Sequence, residues 1–90
     1  MKRIVLIGAG NVGWQLGHAI PQKHYVVSQV YSRTRKSAQG LAQSLDCSFT
    51  TNLKKIDEEA DIIIIAVKDD VIPAVVDQLS YLENLSLIHI

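Results

Sequence analysis

The sequence predicts an α/β domain built on a doubly wound parallel sheet with strand order 3-2-1-4-5. Three observations predict it. Short, wholly apolar runs alternate along the 90 residues with segments whose apolar residues recur at helical spacing. The runs Ile4-Val5-Leu6-Ile7 and Ile62-Ile63-Ile64-Ile65 have no polar face, so each must be covered on both sides, as in a parallel sheet. Four glycines (Gly8, Gly10, Gly13 and Gly17) crowd the point where the first run hands over to the first helix. Strand–helix alternation of this kind folds into right-handed βαβ units.

The elements follow in order. Arg3 to Ile7 is the first strand, and Val12, Leu16, Ala19 and Ile20 mark the inner face of a helix that Pro21 stops. Tyr25 to Tyr31, rich in β-branched and aromatic residues, is the second strand. Thr34 is placed to cap a second helix with Ala38, Leu41, Ala42 and Leu45 inward, which Gly40 weakens without breaking. Ser48 to Thr50 is a short third strand, followed by a helical turn over Leu53 to Ile56. Asp61 to Val67 is the fourth strand. Asp69 or Asp70 is expected to cap a third helix, with Pro73 in its first turn and Ile72, Val75, Val76 and Leu79 inward. Ser86 to Ile90 begins a fifth strand with nothing after it to cover an apolar edge, so we expect residues 1–90 to be the N-terminal part of something longer.

Composition narrows the class. With 48% hydrophobic and 20% charged residues the chain is an ordinary globular domain. Its zero net charge argues against a nucleic-acid partner. Its longest apolar stretch, Ile62 to Val67, is far short of the ~20 residues of a membrane span. Only four apolar residues follow Met1-Lys2-Arg3 before glycine, too few for a secretory signal, and Cys47 is alone, so a reducing cytoplasmic location is expected. The charge is unevenly spread. Residues 1–45 hold six basic residues and no acid, while residues 46–90 hold all nine acids and three lysines.

Gly8-Ala9-Gly10-Asn11-Val12-Gly13 is a G-x-G-x-x-G between a buried strand and a helix, the context in which that motif binds a dinucleotide in a Rossmann-type fold. Gly8 is assigned to the tight turn and Gly10 to the close approach of a pyrophosphate. Gly13 is assigned to close packing of helix on strand, a face that Gly17 extends. Free N–H groups at the helix start supply the donors. The cofactor is chosen at the end of the second strand. NAD sites place Asp or Glu there to hold ribose hydroxyls. This chain has Tyr31-Ser32-Arg33-Thr34-Arg35-Lys36, and its first acid is Asp46. Ser32, Arg33 and Thr34 suit a 2′-phosphate, so NADP is the expected cofactor. The missing acid also disfavours an S-adenosylmethionine methyltransferase.

The stretches "IGAGNVG", "YSRT", "TTN" and "AVKDDVIPAVVDQL" together resemble the N-terminal domain of pyrroline-5-carboxylate reductases. They resemble still more the related Rossmann-like NADP oxidoreductases that carry a C-terminal helical domain of unknown function. The likeness covers nearly the whole chain. It implies NADP contacts from Gly8, Gly10, Asn11, Val12 and Gly13, from Ser32, Arg33 and Thr34, from Asn52, and from Ala66, Val67 and Lys68. It also implies hydride transfer with a small imine or carbonyl substrate, and a homodimer formed through a C-terminal helical domain. Asp69 departs from the reductases, which have proline there, and this leaves the substrate open. The alternative function is a non-catalytic module that senses NADP.

Other residues offer less. Trp14 stands at the mouth of the site, as a contact for substrate or as a helix packing residue. His18 and His24 lack ligand-spaced partners, so no metal site is expected. His89 falls near the carboxyl end of the fifth strand, where ligands bind in such sheets. Cys47 has no histidine to activate it, and Tyr31 is assigned to packing. No nucleophile–base or carboxylate pair can be assembled, so the catalytic residues stay unassigned.

Overall fold

A computed structural model describes residues 2–20, 23–67 and 70–79, and the backbone of 86–89. Five strands form one parallel sheet: β1 (Lys2–Ile7), β2 (Tyr25–Tyr31), β3 (Ser48–Thr50), β4 (Ile62–Ile65) and β5 (Ser86–His89). Their order is β3-β2-β1-β4-β5, as the alternation predicts. The helices are α1 (Asn11–Ala19), α2 (Arg35–Leu45) and α3 (Ile72–Gln78), with a 3-10 turn over Leu53–Lys55.

Helices cover both faces of the sheet, which accounts for the unbroken apolar strands. On one face Ile4, Leu6, Val30 and Ile64 pack with Leu41 and Ala42 of α2 and with Leu16 of α1. On the other, Val5, Ile7, Tyr31, Ile63 and Ile65 meet Leu53, Ile56, Val75 and Leu79. Val5, Leu6, Ile7, Val30, Leu41, Ile63 and Ile65 are fully enclosed, each contributing about 1.5–3 kcal/mol of burial. The ladder between β1 and β2 holds one irregularity: Ile4 pairs with Val27 and Val5 with Gln29, so Ser28 is an extra residue.

Helix ends are set by local chemistry. Ile20, the residue before Pro21, is extended (φ −65°, ψ 127°), as the clash with a following proline ring demands. Helix α2 ends at Asp46 in the left-handed region (φ 56°), where an Asp is tolerated, and its N–H closes back on Ala42 and Gln43.

Several expectations are corrected. Val12 (49% exposed) and Ala19 face outward, because α1 lies against the sheet through Gly13 and Gly17 and only Leu16 and Ile20 join the core. Val76 is 39% exposed; α3 is short, and Val75 and Leu79 already fill its inner face. Val71, not Asp70, is the N-terminal cap of α3, while Asp69 lies outside the described residues. Strand β4 stops at Ile65, earlier than the apolar run.

Candidate dinucleotide-binding site

Main-chain bonds gather the motif residues at the carboxyl ends of adjacent strands. The Gly8 N–H donates to the Tyr31 carbonyl (2.8 Å), the Ala66 N–H to the Ile7 carbonyl (2.8 Å), and the Ser32 N–H to the Thr50 carbonyl (3.3 Å). Gly8, Ser32, Ala66 and the turn after Thr50 therefore share one edge of the sheet. Ligands of open α/β sheets bind along that edge.

The glycines there do different work. Gly8 has φ +115°, and a Cβ on it would overlap the Ala66 carbonyl oxygen. A Cβ on Gly13 would overlap the Gly8 carbonyl oxygen. On Gly17 it would stand 2.8 Å from Leu45 Cδ1 and 3.4 Å from Leu6 Cδ2. Gly8, Gly13 and Gly17 thus serve the fold. Gly10 does not: a Cβ there would meet nothing within 4 Å. It is the exposed N-cap of α1, and the Trp14 N–H bond to its carbonyl (2.9 Å) is the first turn of the helix. The N–H groups of Asn11, Val12 and Gly13 have no helical acceptor, and no side chain caps them. An uncapped helix start beside a glycine that the packing does not require fits an anion such as a pyrophosphate.

The second strand delivers Ser32, half-buried, and Arg33 and Thr34, both exposed, to the same edge. Thr34 occupies the N-cap position of α2, as its sequence placement predicts, but caps no amide. Its Oγ1 instead donates to Ser37 Oγ (2.9 Å). The first turn of α2 holds Arg35 and Lys36 and no acid, an arrangement that opposes the helix dipole unless an anion lies before it. Arg35 lies over the Phe49 ring at 5.9 Å. The Arg33 guanidinium makes no hydrogen bond or ion pair among the described residues, and neither does the Lys36 ammonium.

Asn52 follows β3 and caps the 3-10 turn, its Oδ1 accepting from the Lys54 N–H (2.9 Å). That bond orients the amide, leaving its NH2 group without a partner among the described residues. Ala66 and Val67 are half-buried beside Gly8, and Lys68 lies outside the described residues. The side chain of His89 also lies outside them, although its backbone pairs with Ile65.

Trp14 is 39% exposed and stacks on His18 with ring centroids 5.5 Å apart. Both ring nitrogens of His18 are engaged: Nδ1 donates to the Trp14 carbonyl (2.8 Å) and Nε2 accepts from Ser44 Oγ (2.6 Å). No metal-binding group of three or more ligands occurs among the described residues. Burial, assisted by the charge of Asp46, pushes the Cys47 thiol up to about 11, consistent with an inert residue. A cavity of about 340 Å³ lined by Gly17, Ile20, Tyr25, Leu45 and Asp46 lies at the far end of β2, away from the motif edge.

One polar cluster gave no sequence signal. Asp57 accepts from Arg3 Nη2 (2.7 Å) and Nε (3.1 Å), from Ser28 Oγ (3.0 Å) and from the Glu59 N–H (3.0 Å). Its partners lie as far as 54 positions away in the chain, beyond the reach of periodicity.

Residues 3–90 match the family described as NADP oxidoreductase, coenzyme F420-dependent. The chain belongs to that family. A Bacteroides fragilis structure, assigned as an NADP oxidoreductase, is 34% identical with a TM-score of 0.84, the alignment covering 98% of this chain and 35% of that one. A Sinorhizobium meliloti structure assigned as a myo-inositol dehydrogenase (17% identical, TM-score 0.85, 99% and 27% covered) shares the fold. So does the prephenate dehydrogenase of A. aeolicus, solved with NAD+ (16%, TM-score 0.83, 99% and 33% covered). No curated protein matches the chain. It spans about a third of the length of the Bacteroides fragilis structure. As a member of this family it is a Rossmann domain of the nicotinamide-dinucleotide oxidoreductase type. No helix among the described residues is long and apolar enough to cross a membrane.

Proposed function

We propose that this domain binds NADP(H) for an oxidoreductase that passes hydride to or from a small imine or carbonyl substrate. The observation that carries the NADP assignment is the start of α2. It is cationic and uncapped, it is preceded by the unpaired Arg33, and no carboxylate stands where a ribose diol would need one. Gly10 and the amides of Asn11, Val12 and Gly13 take the pyrophosphate. Ser32, Arg33 and Thr34 take the 2′-phosphate, and Asn52, Ala66, Val67 and Lys68 complete the edge. The bound cofactor supplies the hydride chemistry, while these residues bind and orient it.

The name of the Bacteroides fragilis relative supports NADP, and the resemblance to pyrroline-5-carboxylate reductases supports an imine. Coenzyme F420, named in the family description, is the second hydride partner to test. In the resembling reductases the facing wall of the site comes from C-terminal helices, commonly of a partner subunit. Substrate contacts and a homodimer are assigned here to sequence of that kind, in a cytoplasmic setting.

Titration of wild type and Arg33→Ala with NADPH and NADH tests the assignment. Losing the charged hydrogen bond should cost about 1.5–3 kcal/mol of NADPH affinity and leave NADH nearly unchanged. Equal losses for the two cofactors would remove Arg33 from a 2′-phosphate pocket.

A further inference from the structure

Gln29 lies on β2, two residues before the strand ends, and its side chain does the work of a short piece of strand. Its Nε2 donates to the Lys55 carbonyl (3.1 Å) and its Oε1 accepts from the Asp57 N–H (2.8 Å). These two bonds satisfy main-chain groups on either side of Ile56, where the chain leaves the 3-10 turn and β3 offers no further ladder.

The turn is a single one, so fixing its exit fixes its entrance. The Lys55 N–H bonds back to the Asn52 carbonyl (3.0 Å), and the Lys54 N–H to Asn52 Oδ1 (2.9 Å). Hydrogen bonds thus lead from the Gln29 amide through Lys55 to the main-chain carbonyl of Asn52, while the adjoining Lys54 N–H, in the same single turn, holds Asn52 Oδ1. Leu53 and Ile56 are buried on the core below and set the depth of the turn. The two bonds from Gln29 add direction to that packing, because a hydrogen bond weakens steeply when its angle is lost.

We propose that Gln29 is a positioning residue for the cofactor: through the 3-10 turn it holds the Asn52 amide at the carboxyl edge of the sheet. This deepens the NADP(H) assignment and rests on it. It extends the site to a side chain that belongs to none of the motifs.

The test compares Gln29→Leu, similar in size but unable to clamp, with wild type, Asn52→Ala and the double variant. Gln29→Glu, which keeps the acceptor for the Asp57 N–H and loses the donor to Lys55, serves if the leucine variant does not fold. Amide hydrogen exchange is read first, without ligand. Exchange at Lys54 and Lys55 should quicken by roughly 2–10-fold, the worth of one hydrogen bond, while amides of α2 stay unchanged. The NADPH Kd should rise by a similar roughly 2–10-fold factor with Asn52 present and not at all in the Asn52→Ala background. Unchanged exchange at Lys54 overturns the proposal. Uniformly faster exchange with an unchanged Kd also overturns it, because Gln29 would then stabilise the fold alone. Should wild type fail to bind NADPH, the cofactor assignment falls, and exchange at Lys54 still decides whether Gln29 holds Asn52.

Discussion

The carbonyl oxygen of Gly8 occupies the space that a Cβ of Gly13 would need. Strand β1 and helix α1 are joined at that contact, backbone against backbone, with no flexible side chain to yield. Gly13→Ala should therefore destabilise the ligand-free protein by about 1–3 kcal/mol, an overpacking cost. Thermal or urea unfolding followed by circular dichroism measures it. A midpoint equal to that of wild type would show that the two elements can separate at no cost.

Gly10→Val should behave in the opposite way. The new side chain enters open space, so the ligand-free stability should change by less than about 1 kcal/mol, the scale of an N-cap substitution. Dinucleotide binding should be lost, because the valine takes the room beside the helix amides. A folded Gly10→Val protein that still binds NADPH would remove the glycine turn from the site.

These two glycines also mark what the sequence could and could not disclose. The strand order, the strand that ends at Tyr31 and the inner face of α2 follow from hydrophobic spacing, and the structure has all of them. The inner face of α1 does not follow, because Gly13 and Gly17 pack through what they lack, and a periodicity count scores them as blanks. Val12 carries the apolar signal in their place, and it faces solvent. At the candidate site, the place of Ser32, Arg33 and Thr34 on the carboxyl edge is legible because they follow directly on β2. Asn52 as a cap of the 3-10 turn and Gln29 as a clamp were not, since each acts through a bond that exists only once β2 and the turn lie side by side.

Asp57 gives the domain a pH dependence with a definite sign. Burial pushes its carboxyl up, but hydrogen bonds from Arg3, the Glu59 amide and Ser28, with the charge of Arg3, outweigh that and hold it below the usual carboxylate range. A lowered folded value means that the stability it brings is present above the unfolded value of about 3.9 and disappears as pH falls through the folded one. Asp57→Asn should accordingly melt below wild type at pH 7, and the two curves should converge below about pH 4. The gap should narrow in high salt, because Arg3 is exposed. A gap independent of pH would mean that the carboxylate charge is not what holds Arg3 and Ser28.

Cys47 should be nearly inert toward alkylation in the folded state. With its thiol pushed up to about 11, it carries roughly 200-fold less thiolate at pH 8 than a free cysteine of pKa about 8.5. Iodoacetamide should label it slowly in buffer and promptly in denaturant, as mass spectrometry would record. Because the folded value is raised, the neutral thiol favours the fold, and that contribution declines as pH climbs from about 8.5 toward the folded value. Equal labelling rates in the two conditions would place the sulfur in solvent.

The extra residue in β2 bears on how such chains are compared. Ser28 interrupts the pairing with β1, yet Tyr25 stays opposite Lys2 and Tyr31 opposite Ile7. Both ends of the strand keep their partners, and Val27 and Val30, three positions apart, still join the same core. A relative lacking that residue could hold its glycine turn and its Ser32–Arg33 counterpart in the same places with a shorter interval between them. The interval from Gly13 to Arg33 is therefore not a ruler. Alignments that force a fixed count would put the residues after β2 one position off and compare the wrong side chains.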